Sequence, residues 1–148
     1  MAQFQKITPY LWFDHQAQEA AEYYTSLFPN SKITSVSSMI VEFELSGQKF
    51  IALNGGPQFK FTEAISFFVY CEDQKEVDYY WNCLTSEGGE ESMCSWCKDK
   101  YGLSWQIVPK QLMEYLNSSN RERANNAMQA MLKMKKIIIA LLDEAYNA

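Results

Sequence analysis

Apolar and polar positions follow two rhythms along this chain, and the same order of rhythms occurs twice. Ile7 to Phe13 is an apolar run. Ala17, Ala20, Ala21, Tyr24, Leu27 and Phe28 then recur at the spacing of an amphipathic helix. Pro29-Asn30 stops that helix. Val41 to Leu45 alternates apolar with acidic residues, as a strand with one buried face does. Gly47 turns the chain into a return strand over Gln48–Leu53. Ile65 to Cys71 opens the pattern again. Val77, Tyr80, Trp81 and Leu84 predict a second helix, ended by Gly88-Gly89.

A shift of 57 residues superposes the two passages. It lays Glu19 on Glu76, Ala20 on Val77, Tyr23 on Tyr80, Tyr24 on Trp81 and Leu27 on Leu84. It carries Ser31–Ser37 to the segment after Gly88, and Phe50 onto Ile107 within Trp105–Pro109. Each passage therefore reads β-α-β-β-β, with one constant offset expected from Ile7 to Pro109. The expected modules are residues 1–56 and 63–109, with Gly55-Gly56-Pro57 opening the linker between them. Residues 110–148 form a helical extension: Gln111–Leu116, Arg121–Lys133 and a last apolar segment from Ile137 to Leu142.

Composition narrows the function classes. A net charge of −5 argues against nucleic acid, which leaves a basic footprint. Lys133, Lys135 and Lys136 are too few to make one and read as a solvated helix end. No apolar stretch reaches the length of a membrane span, and Met1–Gln5 has neither the charge nor the apolar run of a leader. A cytoplasmic protein is expected, with Cys71, Cys83, Cys94 and Cys97 reduced. Cys94-Ser-Trp-Cys97 has redox spacing but falls in a predicted strand, whereas a reactive pair needs a helix N-terminus. His15 is the only histidine, too few for a zinc site. Aromatics at 15% suit a wide core, a lined cavity or an oligomer interface.

The paired units resemble the vicinal oxygen chelate superfamily, which includes glyoxalase I, bleomycin-resistance proteins and extradiol dioxygenases. Within it the chain resembles the PhnB-like branch, labelled 3-demethylubiquinone-9 3-methyltransferase-like. The stretches that carry the resemblance are Ile7–Phe13, Val41–Leu45, Ala52–Pro57, Phe59–Phe61, Ala64–Phe67, Trp96–Gln106 and Ala130–Ile137. It implies an α+β fold in which two βαβββ modules form a curved, glyoxalase-like mixed sheet cupping a pocket, with added C-terminal helices. It also implies a homodimer, and unpaired sheet edges favour one. The Val36–Met39 connection is shorter than the Gly-rich loop usual in this branch, and Cys97 and Ile138 stand where an aliphatic and an acidic residue are usual.

Metal-dependent superfamily members take His, Glu or Gln ligands from four strand positions. Carried over, these fall near Thr8-Pro9-Tyr10, near Ala52, near Ile65 and on Gln106, and only Gln106 offers a donor. No metal or other cofactor is therefore expected. Gln106 follows Asp99-Lys100-Tyr101-Gly102, which resembles the Asp-Pro-Asp-Gly turn of metal-binding members. Glu42 and Glu44 share one face of their strand. Facing the cup, they are candidate catalytic bases or unexpected ligands; facing outward, they are solvated surface.

Candidate ligand-binding residues are Tyr10, Trp12, Asn54, Phe59, Phe61, Trp96, Lys98, Trp105 and Gln106. An apolar cup with a few polar groups suits a small, partly aromatic molecule, and Lys98-Asp99 offers an anchor for an anion. Asn54-Gly55-Gly56 also fits a tight turn. Three functions fit this pattern. One is a metal-free small-molecule binder, one an enzyme of glyoxalase or dioxygenase type using a metal or a Glu base, and one a structural dimer module. Methyl transfer finds no support, since neither a G-x-G-x-x-G loop nor doubly wound strand-helix alternation is present.

Overall fold

The computed structural model describes residues 5–148; the first four, read above for a leader, lie outside the described residues. The chain divides into two compact units, one running to Phe61 and one from Thr62 to Ala148.

The first unit holds β1 (Tyr10–Phe13), α1 (Ala17–Leu27), β2 (Lys32–Val36), β3 (Ile40–Leu45) and β4 (Gln48–Asn54). The strand order is β1-β4-β3-β2, with β1 parallel to β4 and the other pairs antiparallel. Strand alternation sends Leu11, Phe13, Val41, Phe43, Leu45, Phe50 and Ala52 to one buried face. The helix supplies Ala17, Ala20, Ala21 and Tyr24 to the same core, where Tyr24 stacks on Phe43 and Phe43 on Phe50. Each large side chain buried in this way contributes about 1.5–3 kcal/mol. Ser46 and Gly47 both adopt positive φ, as a two-residue hairpin turn requires. The short Val36–Ile40 connection is a closed turn, with the N–H of Ser37 donating to the carbonyl of Ile40 at 2.8 Å.

The second unit repeats the order with β5 (Ser66–Cys71), α2 (Gln74–Thr85), β6 (Glu90–Glu91), β7 (Trp96–Lys98) and β8 (Ser104–Pro109). Its strands run β5-β8-β7-β6, so each module has its own four-stranded mixed sheet. Val77, Tyr80, Trp81 and Leu84 bury the helix, and Asp73 caps it by accepting from the N–H of Glu76. Three helices follow: α3 (Lys110–Leu116), α4 (Arg121–Met131) and α5 (Ile139–Tyr146). Val108, Leu112, Met134, Ile137 and Leu142 form their shared core.

The segment between α4 and α5 is tied to the sheet. Met134 and Lys135 accept at 2.8 and 3.0 Å from the backbone N–H groups of Cys94 and Ser95. Those two residues hold left-handed φ values of 57° and 81°. Such backbone is costly for residues other than glycine and persists where surrounding bonds fix it. Cys94 accordingly lies in a turn, and Cys97 lies in β7 with its side chain buried.

The expected constant offset gives way to a stepped one. Matching strand ends and buried faces, the pair Tyr10–Ile51 corresponds to Phe68–Gln106. The offset is then 58 on the first strand and 55 on the last, and 57 holds for the helices. The cause is connection length. In the second unit the strand-to-helix loop is one residue shorter and the path from the helix to the third strand is three residues shorter (Leu27 to Glu42 against Leu84 to Trp96), while the hairpin that follows gives one residue back.

Candidate functional site

The face of the first sheet turned away from α1 is built in three rows across the strands. The middle row runs Tyr10–Ile51–Glu42–Ser35. On one side lies an apolar row, Trp12–Leu53–Ile40, and on the other a charged row, Lys49–Glu44–Lys32. The face therefore grades from aromatic to ionic over three rows.

Trp12 is fixed from two directions. Its indole N–H donates to the carbonyl of Gly56 at 2.9 Å, and Phe59 meets its ring edge-on with centroids 5.0 Å apart. Gly55 is required beneath it, because a Cβ there would lie 2.4 Å from the indole. Phe61 instead packs against buried Phe13. Asn54 turns back to α1, accepting from the N–H of Ala17 and donating to the carbonyl of Ser38. It positions the helix and does not line the open face.

Glu42 and Glu44 both point away from α1, into separate depressions. A cleft of about 330 Å³ is lined by Thr8, Thr34, Ser35, Glu42, Lys49 and Ile51 among others. Glu44 lies in a second hollow, 3.7 Å from Lys32. Among the described residues Glu42 has no hydrogen bond or ion pair.

The second sheet presents Phe68–Gln106–Trp96 and Ser66–Ser104–Lys98–Glu90 away from α2. Gln106 donates to the hydroxyl of Ser66 at 2.9 Å. Lys98 is ion-paired with Glu63, whose carboxyl is held below the usual range first by that bond, while the Lys98 ammonium is raised. Asp99 is no open anchor. Its buried carboxylate accepts from the N–H groups of Tyr101 and Leu103 and from the indole of Trp105 at 2.9 Å, which fixes the turn at Gly102. Trp105 is thus a buried packing residue against Phe67.

Two of the positions expected from the resemblance do not lie on an open sheet face. Ala52 faces α1 in the core, and Ile65 precedes β5. The open-face pairs on the parallel strands are Tyr10–Ile51 and Phe68–Gln106. A divalent ion needs several N, O or S donors converging at about 2.0–2.2 Å. The first pair offers one phenol and the second one amide, and neither fits a divalent metal. Among the described residues no group of three or more His, Cys, Asp or Glu side chains is placed to hold one.

Two four-stranded sheets, each βαβββ and each with its first strand parallel to its last, define the vicinal oxygen chelate fold. The family model described as 3-demethylubiquinone-9 3-methyltransferase matches residues 5–108. A relative of solved structure from Bacillus cereus, a PhnB protein described as a putative 3-demethylubiquinone-9 3-methyltransferase, is 35% identical. It aligns with a TM-score of 0.66 over 71% of this chain and 99% of its own. The chain belongs to this family, the PhnB-like branch of the superfamily. Two more distant structures share the fold. A glyoxalase/bleomycin resistance protein from Albidiferax ferrireducens is 9% identical, with a TM-score of 0.52 over 69% of this chain and 95% of its own. A glyoxalase-related enzyme from Fulvimarina pelagi is 11% identical, with a TM-score of 0.51 over 71% and 88%. No curated protein matches the chain. No helix among the described residues is long and apolar enough to cross a membrane.

Proposed function

We propose that the chain binds a small, partly aromatic molecule on the open face of its first sheet, and that it does so without a metal. The observation that carries this reading is the graded face itself. Trp12, Leu53 and Ile40 form an apolar platform extended by Phe59, and the adjacent row brings one carboxylate, Glu42, into a cleft. Small-ligand sites combine apolar surface with a few placed polar groups. The positions where the superfamily resemblance would put metal ligands offer one amide, Gln106, and no imidazole or carboxylate.

We also read the chain as a dimer, since among the described residues β1 and β5 each leave one strand edge unpaired and Tyr70 on β5 is 63% exposed. Light scattering should give twice the 17.2 kDa chain mass; a monomer mass at high concentration contradicts it.

Thermal unfolding of EDTA-dialysed protein tests the binding reading. A ligand that binds only the folded state stabilises it by mass action, by about 2.7 kcal/mol at a hundred times Kd. Saturating 2-phenylethanol and 2-phenylethylamine should raise the midpoint for at least one of the pair, and Trp12→Ala should remove most of the rise. Stabilisation that appears only after zinc, nickel or manganese is added overturns the metal-free reading.

A further inference from the structure

The open face contains a feature that the βαβββ repeat does not require. Between Ile33 and Ser35 the pairing of β2 with β3 slips, so that Thr34 and Ser35 together stand opposite the single position of Glu42. Such a bulge re-aims side chains and is over-represented beside functional sites. Both residues line the cleft that Glu42 lines. Among the described residues neither hydroxyl and no oxygen of Glu42 is engaged by another side chain or backbone group. Three oxygen-bearing side chains thus gather at one end of the middle row with their acceptors open.

The rest of that row carries an aliphatic and an aromatic side chain. Ile51 is the direct neighbour of Glu42 on β4, and Tyr10 is the neighbour of Ile51 on β1. Two strand spacings put Tyr10 about 10 Å from Glu42. Lys49, diagonal to Glu42 across the ladder, also lines the cleft.

The other acid of the strand is already partnered, since Glu44 has Lys32 at 3.7 Å. In the second unit the position equivalent to Glu42 is Trp96, as the pairs Glu42–Ile51 and Trp96–Gln106 show. The carboxylate is therefore peculiar to the first module and owes nothing to the packing that the two share.

We propose that Glu42, Thr34 and Ser35 form the recognition site for a protonated amine, whose apolar portion lies on Ile51 towards Tyr10. This deepens the binding function proposed above and rests on it. An ammonium presents three donors, which matches one carboxylate and two hydroxyl acceptors. Hydrogen bonds between an ammonium and a carboxylate are among the stronger kinds. The amine can belong to a simple arylalkylamine or to an amino acid whose carboxylate meets Lys49; the ammonium chemistry is common to both.

Four probes on one skeleton test this: 2-phenylethylamine, 2-phenylethanol, phenylalanine and 3-phenylpropionate, titrated into EDTA-dialysed full-length protein by calorimetry. The amine should bind at least tenfold more tightly than the alcohol. Glu42→Gln should abolish that preference, lowering the amine's affinity at least tenfold to that of the alcohol, and Ser35→Ala with Thr34→Val should reduce it several-fold. Phenylalanine binding more tightly than the amine assigns its carboxylate to Lys49, whereas weaker binding assigns the site to simple amines. Equal affinities for amine and alcohol, or a preference that survives Glu42→Gln, overturn this proposal and leave the general binding function standing. Failure of all four probes to bind overturns both.

Discussion

The side-chain carbonyl of Asn54 accepts a hydrogen bond at 2.8 Å from the backbone N–H of Ala17, so the last residue of β4 caps the first turn of α1 from 37 positions away. Gln16, the residue in the local cap position, makes no side-chain cap bond. Loss of a capping acceptor costs about 1 kcal/mol. Asn54→Ala should lower stability in urea by about that amount and leave probe affinity within twofold. Asn54→Asp keeps the acceptor at a helix N-terminus, where negative charge is favourable, and should lie closer to the parent protein.

Asp99 organises the β7–β8 turn through three donors. Removing a buried charged acceptor leaves those donors without partners, at about 3 kcal/mol in all. Asp99→Ala should show this as a lower urea midpoint and a shifted Trp105 emission. Asp99→Asn retains one carbonyl oxygen and should cost less than half as much.

Gly55 and Trp12 occupy adjoining space, and a methyl group at residue 55 would lie 2.4 Å from the ring. Forced overpacking costs about 1–3 kcal/mol. Gly55→Ala should therefore lower stability by that order, displace Trp12 and weaken binding of 2-phenylethanol. Unchanged affinity in a folded Gly55→Ala protein counts against Trp12 as part of the platform.

Burial raises the thiols of Cys71 and Cys97 to about 12. Both stay protonated at pH 8, while Cys83 and Cys94 are partly accessible. Brief alkylation of native protein followed by mass spectrometry should modify Cys83 and Cys94 and spare the other two. A Cys94–Cys97 disulfide after air oxidation would contradict this account of the CxxC sequence.

Lys136 bonds to Asp78 at 2.8 Å and holds its carboxyl below the usual range, with the amide of Gln74 adding to the effect. A depressed carboxylate adds stability that is whole above its unfolded pKa and is lost as pH falls through the folded value. The pair is partly exposed, so its contribution stays below about 1 kcal/mol. Lys136→Met should lower the urea midpoint at pH 7, and the gap to the parent protein should close towards pH 3. A gap that is constant with pH would assign the loss to packing.

The two modules were legible because each carries an amphipathic helix and an alternating strand, patterns that depend only on local spacing. Val41 to Leu45 and Ala17 to Tyr24 fall where their periodicity puts them. Register was not legible. Hairpin lengths differ between modules, and one residue of slip moves a side chain to the opposite face. Ala52, near which the resemblance puts a metal ligand, lies in the core, while Ile51 beside it faces outward. The outward direction of Glu42 and Glu44 followed from alternation, but their separation into two hollows depends on how β2 pairs. Nothing in Lys32–Val36 announces the bulge at Thr34, which exists only in relation to Glu42 on the next strand. Asp99 did carry a signal, the Asp-x-x-Gly turn, although its use by Trp105 required the structure.

Backbone and indole amide shifts of EDTA-dialysed protein titrated with 2-phenylethylamine test the central claim most directly. Saturable changes are predicted at the Trp12 indole N–H and at Tyr10, Ser35, Glu42 and Ile51, unaltered by added zinc. Changes that appear only with zinc, or that fall solely within residues 62–148, would contradict a metal-free site on the first sheet.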